Sequence, residues 1–308
     1  MKLKGKTIFI TGASRGIGRC MALRFAADGA NIVIAAKTVE PHKFLPGTIH
    51  ETAADVEKAG GNALAIQVDV RDADSVADGI AKAVEHFGGI DILVHNAGAY
   101  WLKPTAEFTV KRHDLMFGIN ERAYFLLAQA AYPHLLKSDN PHILGLAPPL
   151  DLNPIWFMNS SAYTVSKFAM SMYTMGWAQE WKADGIAANT LWPRSGIMSA
   201  SAVIHGSEEL IKEFRKPEIM ADAAYGIITK PSREFSGNFC IDDTFLYENG
   251  ETDFDQYAIE PGHDLVPDDM VPNSIVAPPG LKFSRNRLYD FHTGELLPGA
   301  QIGMGGKT

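Results

Sequence analysis

Two side chains of this 308-residue sequence have the types and the spacing of a proton-transfer pair. Tyr163 and Lys167 lie four residues apart in the segment SAYTVSK, so a helix would place them on one face. A free phenol has a pKa near about 10 and is a poor base at neutral pH, but an adjacent ammonium group stabilises the phenolate. The pair therefore predicts a centre that exchanges a proton with a carbonyl oxygen while hydride moves at the carbon.

A glycine-rich turn near the N-terminus has the pattern of a dinucleotide site. In TIFITGASRGIG, Gly12 permits a tight turn, Gly16 lets the backbone approach a pyrophosphate, and Gly18 lets the next helix pack against the sheet. The helix N-terminus then offers unpaired N–H groups to the phosphates. Because the turn directly follows a strand, we expect it to bind a cofactor rather than to be a turn alone. The other predicted contacts in this turn are Ser14, Arg15 and Ile17.

The end of the second predicted strand favours NADP(H) over NAD(H). An NAD-selective site has a carboxylate there for the ribose 2′-hydroxyl, whereas this sequence has Ala35, Ala36 and Lys37. Arg15 and Lys37 would supply positive charge to a 2′-phosphate. The alternative is that both cations are solvated surface residues.

Two further strand ends complete the predicted cofactor site. Asp69, followed by Val70, ends the third strand and can accept a hydrogen bond from the adenine amino group. Asn96, Ala97 and Gly98 follow the fourth strand, where small residues let the adenosine ribose lie against the backbone. By itself this short segment could be any turn that ends a strand.

Alternation of short apolar segments with longer amphipathic ones predicts the elements that position these residues. The predicted strands are 7–11, 31–36, 64–68, 90–95, 142–147, 186–192 and 238–241, and helix-length segments include 17–28, 74–86, 112–136 and 160–183. This alternation is typical of βαβ units, and strands that are apolar on both faces are buried on both sides. We therefore expect an α/β fold with a doubly wound parallel (Rossmann) sheet that binds ligands at the carboxyl ends of its strands.

Two regions interrupt the alternation. Residues 38–50 form a loop with two prolines, and residues 244–308 are rich in acidic residues, proline and glycine. We expect one domain over residues 1–243 and an extension over residues 244–308. The extension is interpreted as an arm on the domain or on a partner subunit, with disorder as the alternative.

Composition excludes several classes of protein. The net charge of -8 argues against a nucleic-acid surface, and two cysteines are too few for a disulfide framework. No clustered Cys/His pattern predicts a metal, and no apolar segment reaches the length of a membrane span. We expect a cytoplasmic location without membrane span or nucleic-acid partner.

Taken together, the ordered motifs resemble the short-chain dehydrogenase/reductase family over about residues 5–243. The likeness rests on TGASRGIG, NAG, Asn120 in INERA, YTVSK, and Asn189 with Pro193. It implies that Asn120 holds a water in a proton relay with Lys167, and that Lys167 also bonds the nicotinamide ribose.

The same resemblance implies further contacts and an assembly. After Pro193, Ile197 and Ser199 would face the nicotinamide carboxamide and the phosphates, although Arg194 stands where the family usually has glycine. The long helices of the family form dimer interfaces, so we expect a homo-oligomer (dimer or tetramer). The Met- and aromatic-rich segment 170–181 is interpreted as helix-packing or interface surface.

One departure from the family concerns the serine that orients the substrate. The fifth strand reads HILGLAPPL, with Ala147 and Pro148 at that place and no hydroxyl to donate. Loss of such a donor typically costs about 10²–10³ in rate. The loop offers replacements, some of which are instead expected to cap a helix, namely Asn153, Asn159, Ser160 and Ser161.

The leading hypothesis is an NADP(H)-dependent oxidoreductase acting on a carbonyl or alcohol of a small apolar molecule. Apolar residues after the sixth strand form a candidate lid, namely Ile197, Met198, Val203, Ile204 and Leu210. The alternative is an NADP-binding sensor or lipid-binding protein with weak or lost catalysis, suggested by the missing serine. Enoyl reduction is a third hypothesis, but related enoyl reductases have tyrosine where Ser160 stands.

Overall fold

The strands expected from the sequence pair side by side in one parallel sheet. The structure, a computed structural model, describes residues 1–158, 160–199, 202 and 207–284. Within these residues the strand order is β3-β2-β1-β4-β5-β6-β7, and every pairing is parallel. The strands are β1 (Thr7–Thr11), β2 (Asn31–Ala36), β3 (Asn62–Gln67), β4 (Ile92–His95), β5 (His142–Gly145), β6 (Ala187–Trp192) and β7 (Phe239–Ile241). The predicted doubly wound α/β fold is confirmed.

Helices connect the strands and cover both faces of the sheet. They are α1 (Gly16–Ala26), α2 (Ile49–Lys58), α3 (Ala73–Phe87), α4 (Val110–Phe117), α5 (Ala123–Leu135), α6 (Ser161–Glu180), α7 (Glu208–Lys212), α8 (Glu218–Ile228) and α9 (Asp242–Glu248). In β1, Ile8 and Ile10 pack in one core cluster, while Phe9 packs in the cluster on the opposite face. Chain order reverses between β1 and β4, so a crevice opens beyond their carboxyl ends, where such folds bind ligands.

The segment 112–136, expected to be one helix, is interrupted. A π-helical turn, Gly118–Arg122, separates α4 from α5. Such single-turn bulges occur inside α-helices, and the apolar pattern of this segment did not reveal it. Asn120 lies inside this turn and is fully buried.

The described part of the extension, residues 244–284, packs on the domain. The boundary expected after residue 243 lies within α9, which starts from the last strand and packs against α8. The chain then returns to the end of β6, where Gly196 N donates to Val266 O at 2.9 Å and Asp268 N donates to Arg194 O at 2.8 Å. Residues 266–268 thus run antiparallel to residues 194–196.

Arg194, which stands where the resemblance predicts glycine, ties the extension to β6 through its side chain. The guanidinium is buried and donates from Nε to Asp243 Oδ1 at 2.7 Å and from Nη1 to Ile275 O at 2.9 Å. Arg215, equally buried, donates to the other oxygen of Asp243 at 2.9 Å. Asp242 accepts from Arg194 N at 2.9 Å, and burial together with the adjacent Asp243 raises the pKa of its carboxyl.

This network predicts a large stability effect of one charge. Asp243→Asn should lower the free energy of unfolding by about 3–5 kcal/mol, because it leaves two buried guanidinium groups without their carboxylate. Denaturant unfolding measures the change. Asp253→Asn, at an exposed position of the extension, should stay within about 0.5 kcal/mol of the wild type. Equal effects of the two substitutions would contradict a structural role for the network.

Candidate active site

The glycine turn and the turn after β4 are built against each other. Gly12 has φ +66°, and a Cβ there would lie 2.9 Å from Ala97 Cα. A Cβ on Gly18 would lie 2.5 Å from Asn96 Nδ2. That same nitrogen donates to the carbonyl oxygens of Thr11 and Gly12, both at 3.1 Å. Glycine is therefore required at positions 12 and 18, and two of the predicted cofactor motifs form one surface.

The start of α1 fits a bound diphosphate. The helix begins at Gly16, whose φ is +55°, and among the described residues no side chain caps it at Arg15. The first N–H groups of a helix have no partner within the helix, and the helix dipole favours an anion there. The turn thus offers backbone donors at the place where a dinucleotide phosphate is expected.

Thr11, which sequence analysis did not single out, joins β1 to the turn after β4. Its hydroxyl oxygen accepts from the backbone N–H groups of Asn96 and Ala97, both at 3.1 Å. The hydroxyl proton is then free to donate to His95 Nδ1, which lies 2.9 Å away. The only sequence signal was a polar residue at the end of an apolar strand, directly before Gly12.

A chain of hydrogen bonds continues from His95 to the predicted relay residue. Burial lowers the pKa of His95 to about 3, so the ring is neutral, and Nε2 donates to Ile119 O at 3.1 Å. The next residue, Asn120, accepts from Ala99 N at 2.8 Å and donates to Ala99 O at 3.0 Å and Ser166 Oγ at 2.9 Å. Its amide therefore links the π-helical turn, the turn after β4 and α6.

Lys167 lies among the other predicted motifs. A Cβ on Gly98 would be 3.6 Å from both Lys167 Nζ and Asn120 Oδ1. The ammonium donates to Leu146 O at 2.9 Å and lies 5.4 Å from the centre of the Trp192 ring. Burial lowers its pKa to about 8. The residue can therefore exchange a proton near neutral pH.

The phenol of Tyr163 differs from the sequence expectation. An adjacent Lys167 was expected to favour the phenolate, but the pKa of Tyr163 is raised well above its usual value. Burial is the main cause, followed by the charge of Asp268, the neighbouring Tyr100 and the charge of Asp269. Tyr100 packs edge-on at 5.1 Å between ring centres. In this environment Tyr163 holds its proton and is a hydrogen-bond donor.

Neither residue at the place of the missing serine can orient a substrate. Ala147 is fully buried in a core cluster, and the carbonyl of Pro148 accepts from Ser171 Oγ at 2.6 Å. An Ala147→Ser hydroxyl would therefore lie in the core rather than at the site.

The loop candidates for that role are bonded locally. Ser160 Oγ caps α6 by accepting from Tyr163 N at 3.3 Å, as expected of a capping residue, and donates to Trp101 O at 3.1 Å. Ser161 Oγ donates to Phe157 O at 3.0 Å. Asn153 caps a short 3₁₀ helix. Asn159 lies outside the described residues.

A cavity of about 560 Å³ lies between the loop that follows β5, the start of β7 and the extension. Its lining mixes aromatic, amide and acidic side chains, including Asp151, Trp156, Asn238, Phe239, Asp268 and Asp269. Two of these residues, Trp156 and Asp269, also line a smaller crevice together with Tyr163 and Met270. The acidic pair comes from the extension and was not among the predicted site residues.

The structure describes three of the five candidate lid residues. Ile197 packs in a core cluster rather than over the cavity, while Met198 and Leu210 are half-buried. Val203 and Ile204 lie outside the described residues.

Lys37 and Arg15, the two cations expected at the 2′-phosphate, bind different partners in the structure. Lys37 Nζ lies 3.4 Å from Asp69 Oδ2, and Arg71 holds the same carboxylate at 2.6 Å. Hydrogen bonds and the charges of Arg71 and Lys37 lower the pKa of Asp69. Arg15 instead donates to Gly47 O at 2.8 Å, in the loop that precedes α2.

Arg15 borders a second cavity of about 580 Å³ next to the glycine turn. Charged and ring-containing residues in its lining include Arg15, Arg19, His42, Pro46, Glu51 and Lys58. Asp55 also lines this cavity and pairs with Arg19 at 2.7 Å and with Lys58 at 3.3 Å, so carboxylates offset part of its positive charge.

The remaining predicted cofactor residues are buried or half-buried. Ser14 is buried, Ile17 packs against a core cluster, and Val70 is buried in the other cluster. Pro193 is buried directly after β6, and Ser199 is half-buried in the loop beyond it.

The described part of the chain holds neither a metal site nor a membrane-spanning helix. Within the described ranges, no group of three or more His, Cys, Asp or Glu side chains is arranged to hold a metal ion. No described helix combines the length and apolar character needed to cross a membrane.

The fold and these motifs define a class of dehydrogenases, and the family model described as short chain dehydrogenase matches residues 6–205. The chain belongs to the short-chain dehydrogenase family. It is 55% identical over 267 residues to hydroxysteroid dehydrogenase-like protein 2 of Danio rerio, covering 87% of this chain and 64% of that protein. The chain therefore spans just under two thirds of this relative.

Solved structures agree with this assignment. A short chain dehydrogenase from Mycobacterium thermoresistibile has a TM-score of 0.85 and 46% identity, covering 92% of this chain and all of that one. A short chain dehydrogenase from Burkholderia cenocepacia, in complex with NADP, has a TM-score of 0.67 and 26% identity, covering 78% of this chain and 97% of that one.

The buried ammonium of Lys167 predicts a pH-dependent stability difference. Below about pH 8 both the folded and the unfolded states hold the proton, so the folded state bears the full desolvation cost. Between about pH 8 and pH 10.5 the unfolded state binds more protons, and the stability of the wild type therefore rises with pH. Lys167→Met lacks this titration. It also lacks the desolvation cost, so we expect it to be more stable than the wild type below about pH 8. The difference in unfolding free energy between the two proteins should then fall by about 2–3 kcal/mol as the pH rises across that range.

Denaturant unfolding at several pH values measures this difference. Lys111→Met, at an exposed position of α4, is the matched control and should show no such trend. A pH-independent difference between Lys167→Met and the wild type would contradict the lowered pKa.

Proposed function

We propose that this protein is an NADP(H)-dependent oxidoreductase that interconverts a carbonyl and an alcohol, with Tyr163 as the general acid/base. The observation that supports this most is the convergence of Lys167 and Asn120 on Gly98, beside the glycine turn. A bound NADP(H) supplies the hydride. The substrate is a small molecule, and its apolar part packs against the aromatic residues near Tyr163, namely Trp101, Trp156 and Phe157.

The proton chemistry follows from the environment of the pair. In reduction, Tyr163 donates its proton to the carbonyl oxygen as hydride reaches the carbon. Lys167, whose pKa is about 8, returns a proton to the phenolate and favours its charge. Because the side-chain amide of Asn120 is already bonded to Ala99 and Ser166, its role is to position the turn beside Lys167. A relay water would bond another atom of this turn.

The preference for NADP(H) rests on charge at the end of β2. Ala36 is nearly buried there and offers no acid, while Arg15 and Arg19 line the neighbouring cavity. The Burkholderia cenocepacia relative is in complex with NADP, which agrees with this choice. Lys37 contributes once a 2′-phosphate competes with Asp69 for its ammonium.

The surface of the protein bears on its assembly. Exposed apolar side chains on α5 and α6, including Phe125, Val165, Met172 and Met175, support a homo-oligomer. We propose a cytoplasmic enzyme without a nucleic-acid partner.

The cofactor preference predicts the effect of one added carboxylate. Ala36→Asp should repel a 2′-phosphate and bond the ribose hydroxyls, shifting the ratio of NADPH to NADH dissociation constants towards NADH by about tenfold or more, roughly 1.4 kcal/mol. Fluorescence titration of both cofactors measures the ratio. Ala81→Asp adds the same charge on the exposed face of α3 and should leave it unchanged. Tighter NADH than NADPH binding by the wild type would reject the NADP assignment.

The proton-donor role predicts a separation of turnover from binding. Tyr163→Phe should lower kcat by at least about 10²-fold, since it removes the acid, while NADPH binding stays within about twofold. NADPH oxidation with a panel of ketones and aldehydes measures turnover. Tyr173→Phe, on the same helix but bonded to Glu121, is the control and should keep full activity. Undiminished turnover by Tyr163→Phe would refute the mechanism. Tight NADPH binding without wild-type turnover would instead favour an NADP sensor.

A further inference from the structure

The loop 38–50, which interrupts the alternation of strands and helices, is closed at its base. Ile49 N donates to Thr38 O at 3.0 Å and so brings the two ends of the loop together. Thr48 and Glu51 form a capping box, in which Thr48 Oγ1 accepts from Glu51 N at 3.1 Å and Thr48 N donates to Glu51 Oε2 at 2.8 Å. These contacts fix the direction in which the chain leaves the loop and enters α2.

Gly47 brings this loop into contact with the glycine turn. Its φ is +97°, and a Cβ there would lie 2.3 Å from Ser14 O and 3.1 Å from the Cβ of Arg15. Thr52, which is buried on α2, donates to the same oxygen of Ser14 at 3.2 Å. A residue with a side chain at position 47 would therefore force the loop away from the turn.

The carbonyl of Gly47 holds the guanidinium of Arg15, whose Nη2 donates to it at 2.8 Å. The other arginine and lysine side chains in the lining of the adjacent cavity, Arg19 and Lys58, are both paired with Asp55. The partner of Arg15 is instead a neutral carbonyl, which orients the side chain without cancelling its charge. A guanidinium has five N–H donors, so others remain for an anion.

The cavity of about 580 Å³ beside Arg15 is enclosed by the loop and the glycine turn together. Gly16, at the start of α1, contributes from the turn, and the loop contributes Pro41, His42, Leu45, Pro46 and Gly47. A dinucleotide diphosphate is expected at the start of α1, and a 2′-phosphate is expected near the end of β2, directly before the loop. The cavity thus adjoins both expected phosphate positions.

We propose that Gly47 is a specificity-determining residue: its carbonyl positions Arg15 to bind the 2′-phosphate of NADP(H). This inference rests on the proposed function and deepens it, because it assigns the cofactor preference to the loop 38–50 as well as to the missing acid at Ala36. Gly47 acts through Arg15 and is a positioning residue. A guanidinium that is already held in place loses less conformational freedom when a phosphate binds, so the contact favours the phosphorylated cofactor.

The experiment measures the binding of two probes that differ by the 2′-phosphate, adenosine 2′,5′-bisphosphate and adenosine 5′-monophosphate. Calorimetric titration compares the wild type with Gly47→Ala, which changes no charge. This variant should bind the bisphosphate about five- to tenfold more weakly, because the loop and its carbonyl move away from Arg15, and the monophosphate within about twofold of the wild type. Gly60→Ala is the control for backbone strain. Gly60 has φ +101°, but a Cβ there would have Ala26 O as its nearest neighbour at 3.9 Å, so the ratio of the two dissociation constants should stay unchanged.

Two further variants separate positioning of Arg15 from a general effect on the loop. In an Arg15→Met background, Gly47→Ala should change the ratio of the two dissociation constants by no more than about twofold, since the residue on which Gly47 acts is gone. Arg15→Lys keeps the charge but lacks the planar fork that can bond a carbonyl and a phosphate together. It should lose the same selectivity as Gly47→Ala, and it tests the proposal even where Gly47→Ala does not fold.

Three results would overturn the proposal and leave the proposed function standing. They are a wild-type ratio in Gly47→Ala or in Arg15→Lys, equal weakening of both probes by Gly47→Ala, and an undiminished effect of Gly47→Ala in the Arg15→Met background. Equal affinity of the wild type for the two probes would overturn both this inference and the proposed preference for NADP(H).

Discussion

The buried contact between Arg194 and Asp243 holds the extension against the end of β6. Isolated charges cannot be buried without a large desolvation cost, so each guanidinium here needs a carboxylate and backbone acceptors. Asp243 serves both Arg194 and Arg215, and the carbonyl of Ile275 completes the environment of Arg194. Apolar residues in place of Arg194, Arg215 and Asp243 could give similar stability. They would not fix one alignment of the extension, which has little regular structure, against β6. The network thus explains how a proline-rich segment reaches a defined position at the site.

That position changes the electrostatics of the reacting tyrosine. In the sequence, the only charge expected near Tyr163 was Lys167, which favours the phenolate. The structure adds two acids from the extension, and burial with these acids keeps the phenol protonated. A protonated phenol suits the reductive direction, in which Tyr163 must donate. In the proposed mechanism, the preference for reduction thus depends partly on residues that lie about a hundred positions away in the chain.

Local signals explain what could be predicted from the sequence. Apolar periodicity located the strands of the sheet to within a few residues, and the glycines at positions 12 and 18 are required by a Cβ clash with the turn after β4. The π-helical turn at Asn120 left no periodic signal. The pairing of Lys37 with Asp69, and that of Arg194 with Asp243, depend on tertiary distances that spacing along the chain does not encode. Asp268 was missed because adjacent acids in a proline-rich segment look the same as solvated ones.

The unfavourable features of the molecule gather at one end of the sheet. Lys167 is a buried ammonium with a lowered pKa, Met270 has a strained backbone, and Asp268 and Asp242 are carboxyl groups whose pKa values burial has raised. Each of these features lowers stability where it stands. A fold can hold such groups only if its two core clusters and the Arg194 network offset their cost. This clustering agrees with the proposed proton chemistry, since groups with shifted pKa values, here a buried ammonium and a half-buried acid pair around one phenol, gather at functional sites.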